Sequence, residues 1–231
     1  MRVEILDHGY IEIVERWGSD ERIVEAARMS TAKGFQGWGP KDDGSPGDEK
    51  LLRFLYENKH ATPFEMAGLV IEVQAPIFVF REWHRHRTQS FNELSARYTA
   101  LPDLFYVPSV ERLMAGRQST TNKQGSAAGF TDSEARALRD AFETRFQDTR
   151  RRYEDLLELG MARELARLVV PVAQYSRMRA SANLRNWLAF LTLRMAPNAQ
   201  WEIRQYANAV GEIIAEQFPR TWALFEEGRS K

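Results

Sequence analysis

Leu69-Val70-Ile71-Glu72-Val73-Gln74-Ala75-Pro76-Ile77-Phe78-Val79-Phe80-Arg81-Glu82-Trp83-His84-Arg85-His86-Arg87 changes its hydrophobic period part-way along. Leu69, Ile71 and Val73 alternate with Val70, Glu72 and Gln74, the pattern of a strand with one buried face. Pro76 then suits the first turn of a helix, where its missing N–H would have no intrahelical partner anyway. Ile77 to Arg87 can continue that helix. On it, successive residues turn by about 100°, so Arg85 and Arg87 would point to nearly opposite sides.

The same mixture extends in both directions. Val3-Glu4-Ile5-Leu6 and Tyr10-Ile11-Glu12-Ile13-Val14 read as two short strands around Gly9. Asp20 is placed to cap a helix through Ala27, and Lys50 to Asn58 forms another. Between them, residues 34–48 hold five glycines and two prolines and read as a loop. Residues 115–131 are small and polar, a second loop. Thr131-Asp132-Ser133-Glu134 is a capping box opening a long helix that ends near Gly160. Ala162 to Val169 is a shorter helix stopped by Pro171, with Arg163 and Arg167 on one face. Val172 to Ala182 is extended, and Asn183 to Met195 and Asn198 to Phe218 are helices, the second bounded by Pro219. Helices dominate and the strands need not be parallel. The expected class is α+β: one domain, residues 1–231, with helices around a small, mostly antiparallel twisted sheet.

Composition limits the function. The 231 residues carry 32 basic and 32 acidic side chains, whereas a general nucleic-acid binder needs a positive excess for phosphate. Arg outnumbers Lys by 26 to 6. Guanidinium forks suit anionic small molecules, although a GC-rich genome would give the same bias. No apolar run approaches the roughly 20 residues of a membrane span, and Met1-Arg2-Val3-Glu4 does not open a signal peptide. A cytoplasmic protein with no membrane or nucleic-acid partner is expected. The chain has no cysteine. That removes disulfides, cysteine-ligated metals and every thiolate nucleophile.

The densest chemistry runs from Arg81 to Tyr98, with Arg81, Arg85, Arg87 and Arg97 following an apolar run. The plain alternative is a surface helix whose cations complement its C-terminal dipole. His84 and His86 would share one side of a strand but diverge on a helix. No acidic cluster stands near them, so no metal is expected. Ser95 lacks a G-x-S-x-G elbow, and Gly34, Gly37 and Gly39 do not have dinucleotide-fingerprint spacing. A nucleotide cofactor would be held by side chains.

Arg85-His86-Arg87, seven residues, then Ser95 resembles the R-H-R-x7-S signature of the flavin-dependent thymidylate synthases. His60-Ala61-Thr62-Pro63-Phe64-Glu65, Ala75-Pro76-Ile77-Phe78-Val79, Asn92-Glu93-Leu94-Ser95-x-Arg97-Tyr98, Ala166-Arg167-Leu168-Val169-x-Pro171 and Ala199-Gln200-Trp201-Glu202-Ile203 resemble further family blocks, in family order. The resemblance spans nearly the whole chain and leaves the loops near 34–48 and 115–131 as variable insertions. It implies reductive methylation of dUMP to dTMP without an enzyme nucleophile. Methylenetetrahydrofolate would be the carbon donor, reduced FAD the hydride donor and NADPH the reductant. It further implies a homotetramer with sites shared between subunits.

Residue by residue, the resemblance implies that Arg194 activates dUMP. The binding set is Glu82, Arg85, Glu93, Leu94, Ser95, Ala96, Arg97, Arg167 and Arg194. For FAD it implies Ser30, Thr62, Arg85, His86, Arg87, Thr88, Glu93, Asn183 and Arg185, with His60 on the flavin or folate side. Spacing alone makes Arg194 an arginine snorkelling from the end of an apolar stripe of Trp187, Phe190 and Leu191. Three positions depart from the family pattern: Glu82 for a common Gln, Asn198 for a His found in some relatives, and Ala189 for an Asn. Two other functions remain open at this point. One is a flavoprotein of the same fold acting on another pyrimidine nucleotide; the other is a non-catalytic Arg-rich nucleotide- or RNA-binding module.

Overall fold

The computed structural model describes residues 1–41, 44, 46–121, 123 and 125–229. Of the two expected loops, residues 42, 43, 45, 122 and 124 lie outside the described residues. The first half of the chain forms β1 (Arg2–Ile5), β2 (Gly9–Trp17), α1 (Asp20–Arg28), α2 (Asp48–Glu57), α3 (Ala61–Glu65), β3 (Gly68–Pro76), α4 (Ile77–Trp83) and β4 (Ser90–Glu93). The second half forms α5 (Val110–Met114), β5 (Arg117–Gln118), β6 (Ser126–Ala127), α6 (Asp132–Glu158), α7 (Arg163–Ala166), β7 (Tyr175–Asn183), α8 (Leu184–Arg194), α9 (Trp201–Gln217) and α10 (Pro219–Arg229). Five strands make one sheet in the order β1-β2-β3-β7-β4, antiparallel at every pairing. The class is α+β, as the sequence implies.

Alternation sets the two faces of this sheet. Leu69, Ile71, Val73 and Ala75 of β3 are buried, as are Met178, Ala180 and Ala182 of β7. Arg177 and Arg179 of β7 point the other way and are exposed. Helices α4, α8 and α9 lie on the buried face. Trp83 of α4 sits at their centre, 0% exposed, with its ring stacked 4.6 Å from Phe190 and edge-on to Trp187 and Tyr206. Aromatic pairs of this kind add about 0.5–1.5 kcal/mol each beyond area burial.

Where β3 meets β7, Gly68 pairs with Asn183. A Cβ at residue 68 would lie 2.5 Å from the Ala182 carbonyl oxygen and 2.2 Å from the Trp17 ring. The close approach packs β3 against the end of β7, whose last residue, Asn183, caps α8.

Several local expectations are corrected. Ser19, not Asp20, caps α1, its hydroxyl accepting from the Arg22 N–H. Asp20 is buried, and its carboxylate accepts the Arg220 and Thr221 N–H groups and the Thr221 hydroxyl. Pro219 does more than end α9: it occupies the first position of α10, where proline is favoured. The capping box at Thr131 and Glu134 forms as expected. Helix α4 stops at Trp83, four residues short of Arg87. No Gly or Pro stands there. His86 N–H bonds the Trp83 carbonyl and Gln89 N–H bonds the His86 carbonyl, while buried Gln89 accepts the Trp83 indole N–H at 2.9 Å. A tertiary contact ends the helix. Arg85 and Arg87 therefore lie in turns, and the opposed directions expected of them on a helix do not apply.

Candidate active site

The strand β4 and the segment after it form one wall of a cavity of about 570 Å³, a size suited to a small ligand. Glu93, Leu94, Ser95 and Ala96 line it, held in place where the Leu94 N–H bonds the Arg177 carbonyl. Arg167, in the single 3-10 turn after α7, supplies a cation opposite them. Arg163 and Arg167 stand one helical turn apart, as expected, the Arg167 N–H bonding the Arg163 carbonyl, but Arg163 does not line the cavity.

The sequence reading missed three polar lining residues: Arg81 and His84 around the end of α4, and Ser176 of β7. Arg81 and Arg167 are exposed and have no ion-pair partner among the described residues. Ser176 is 1% exposed, and its hydroxyl is without a hydrogen-bond partner among those residues. A buried polar residue inside an otherwise apolar strand face was the signal available in the sequence. The cavity offers guanidinium groups and a hydroxyl to an anionic, oxygen-rich ligand.

Ser95 is half-buried, and its Oγ accepts the Arg97 N–H at 3.3 Å. That contact gives the hydroxyl no base to activate it. Arg97 is exposed and reaches Glu164 at 3.4 Å.

Glu82, Arg85, Arg97 and Arg194 do not line this cavity. Arg194 closes α8 instead, with 16% of its side chain exposed. Its Nε–H donates to His86 Nε2 at 2.8 Å, Nη1 donates to Glu82 Oε2 at 2.7 Å, and Nη2 donates to the Glu82 carbonyl at 2.9 Å. His86 stands edge-on to Phe190, 4.9 Å between centroids. Burial, and then the neighbouring Arg194 charge, push its pKa down to about 4. His86 is thus neutral at pH 7 and accepts at Nε2. The snorkelling arginine expected from spacing alone is replaced by an oriented one.

The remaining predicted cofactor residues lie around this group. Arg85, Arg87 and Thr88 are exposed in the turns, and neither arginine has an ion-pair or hydrogen-bond partner among the described residues. Asn183 caps α8, its Oδ1 accepting the Asn186 N–H at 2.9 Å, and Arg185 pairs with Glu65 at 2.6 Å. Thr62 is exposed in α3, and His60 caps that helix with its ring 5.4 Å from Phe54. Ser30 is exposed in the 3-10 turn after α1, and its hydroxyl donates to the Ala27 carbonyl. Unpaired guanidiniums beside a helix N-terminus fit the pyrophosphate of a dinucleotide. The donor set fits FAD. Ala189 and Asn198, two of the three departures, are both exposed. Among the described residues no group of His, Asp and Glu could hold a metal ion, and no helix is long and apolar enough to cross a membrane.

The family described as thymidylate synthase complementing protein matches residues 12–220. The chain belongs to this family. A flavin-dependent thymidylate synthase from Thermus thermophilus is 42% identical over 227 residues, 98% of this chain and 79% of the relative. The Thermosipho africanus protein of the same name is 38% identical over 97% of this chain and 94% of its own. Among solved structures, the UMP/dUMP methylase PolB from Streptomyces cacaoi bound with 5-Br dUMP superimposes with a TM-score of 0.82. It is 34% identical and covers 97% of each chain. Family membership and the shared fold together remove the non-catalytic module from consideration. The β5–β6 hairpin and residues 34–48 are the parts of this family member that the sequence read only as loops.

Proposed function

We propose that this chain methylates dUMP to dTMP, taking a one-carbon unit from methylenetetrahydrofolate and reducing it without an enzyme nucleophile. FAD, held by Arg85, His86, Arg87, Thr88, Asn183 and Arg185 with Ser30, Thr62 and Glu93, supplies the hydride when bound and is re-reduced by NADPH. The observation that carries the reading is Arg194, a mostly buried guanidinium oriented by three hydrogen bonds. Two of its five N–H groups remain without a partner among the described residues.

The chemistry follows from charge. Uracil C5 is a stronger nucleophile toward the methylene carbon when N3 has given up its proton, because the negative charge on the N3–C4–O4 edge raises electron density at C5. An oriented, permanently charged guanidinium at that edge stabilises the ionised ring and needs no reorganisation to do so. The bonds from the transferred carbon to the folate nitrogens break, releasing tetrahydrofolate, the C5 proton leaves to solvent, and the hydride that bound FAD would supply completes the methyl group. Neither a thiolate nor an activated hydroxyl is involved: the chain has no cysteine, and among the described residues the Ser95 hydroxyl has no hydrogen bond to a basic side chain. Ser95 instead belongs with Arg97, Arg167 and the Glu93–Ala96 backbone as a binder of phosphate and sugar.

Neither Glu82, Arg85 nor Arg194 lines the cavity of Glu93–Ala96 and Arg167. A homotetramer in which one subunit's cavity meets another's Arg194 brings both onto a single nucleotide. A second reading, methylation of UMP, is favoured by the name of the PolB structures. The test gives purified, FAD-loaded protein dUMP or UMP together with NADPH and methylenetetrahydrofolate, and separates the nucleotide products. Formation of dTMP that ceases without FAD supports the proposal. Methylation of UMP alone would transfer it to the second reading, and no methylated product from either would refute both.

A further inference from the structure

Ser176 interrupts an otherwise apolar row of β7. It pairs with Ala75 of β3 and shares the helix-covered face of the sheet with Met178 and Ala180. Its hydroxyl is closed to solvent and has no hydrogen-bond partner among the described residues, yet Ser176 lines the cavity. A buried hydroxyl left unpaired costs free energy in the empty protein. A ligand that brings one hydroxyl to this point removes that cost.

The cavity lining separates charged from neutral recognition. Arg81 and Arg167 are exposed, and the Ser95 hydroxyl already accepts the Arg97 N–H. A phosphate dianion held by those guanidiniums keeps part of its hydration. Ser176 and Phe80 mark the buried end, where Ile77, Leu94 and Val170 add further apolar surface. His84 lays its ring against Phe80 and Phe91. No Lys or Arg is buried among the described residues, so an anion at that end would lose its water without gaining a cation. A neutral hydroxyl pairs there without that penalty. A 2′-deoxynucleoside 5′-monophosphate has one free sugar hydroxyl, on C3′. The C2′–C3′ edge of its ring lies opposite the ring oxygen. With that edge turned to the buried end, the base and the 5′-phosphate leave on either side.

We propose that Ser176 holds the 3′-hydroxyl of the bound deoxynucleotide, so that tight binding requires that hydroxyl. This rests on dUMP being the substrate and on its phosphate and sugar occupying the cavity. Dissociation constants of dUMP and 2′,3′-dideoxy-UMP are measured on the full FAD-loaded chain for wild type, Ser176→Ala and Ser176→Cys. In wild type, loss of the 3′-hydroxyl is expected to weaken binding roughly 10–100-fold, because Ser176 is then left unpaired beneath the sugar. In both variants that penalty is expected to shrink to about 2–3-fold or less, since two losses from one contact do not add. Both substitutions remove only a hydroxyl that the fold leaves without a partner, so both variants are expected to fold; thermal unfolding verifies this, and either alone suffices. Wild type that binds the two nucleotides alike overturns the proposal. So does a penalty carried unchanged into a folded variant, the result expected if Ser176 met the phosphate instead. In either case dUMP is still bound and the underlying reading stands. Wild type that binds no dUMP overturns that reading, and the proposal with it.

Discussion

Arg194 and His86 show how the site is built from single side chains. Arg194→Ala removes a donor aimed at the ionised N3 edge that activates C5 and is expected to slow the chemical step by about 10²–10³-fold, with a smaller effect on dUMP affinity. Arg194→Lys restores only part of the rate, because an ammonium cannot hold Glu82 and His86 at once. Single-turnover oxidation of the reduced flavin in the presence of dUMP and methylenetetrahydrofolate measures this; an unchanged rate with only a weaker dUMP dissociation constant would make Arg194 a binding residue. His86 carries the pH dependence of the same cluster. Its folded-state pKa of about 4 lies below the unfolded value, so the neutral imidazole stabilises the fold fully above about pH 6.5. That contribution is lost as pH falls toward 4. Between pH 7 and 4.5, urea denaturation is expected to show wild type losing roughly 1–2 kcal/mol more than His86→Gln, which retains an acceptor but does not titrate. Equal losses would place the imidazole elsewhere in the balance. At this scale the sequence named Arg194, Glu82 and His86 through a family resemblance, but their mutual hydrogen bonds were invisible to it. Contacts between residues 108 and 112 positions apart leave no periodic trace.

Helix α4 and the turns after it turn these residues into a site. The helix begins where expected, after Pro76, but ends at Trp83 because that indole is pinned between Phe190 and the Gln89 side chain. Ending there exposes Arg85 and Arg87 while leaving His86 half-buried against Phe190. Trp83→Ala would open a large cavity in this packing and is expected to cost about 3–5 kcal/mol. It should also weaken flavin retention in protein that still folds, because the turns lose their anchor. Chemical denaturation and residual flavin absorbance check both effects; full flavin occupancy in a destabilised variant would uncouple the turns from Trp83. Long elements with clear periodicity, such as β3, α6 and α8, were legible in the sequence. Those of two to five residues, such as α3, β4 and the β5–β6 hairpin, are too short to establish a period, and tertiary contacts define them.

For the whole molecule, one sheet and three helices carry both the cavity of Glu93–Ala96 and the Arg194–Glu82–His86 cluster. The antiparallel class was readable from short strands and dominant helices, and the absence of thiolate chemistry from composition alone. Which surface meets which in an oligomer has no signature in one sequence. If FAD sites are shared between subunits, ligand and interface stabilise each other by mass action. Dilution to monomer is then expected to release flavin, seen as free-flavin fluorescence rising in step with a falling sedimentation coefficient; monomer at full flavin occupancy would contradict the shared site. The claim that dUMP is methylated through bound flavin is tested most directly by tritium release from 5-tritiated dUMP. The account predicts release stoichiometric with dTMP and dependent on FAD, NADPH and methylenetetrahydrofolate together. Absence of release from the complete mixture, with flavin bound, would contradict it.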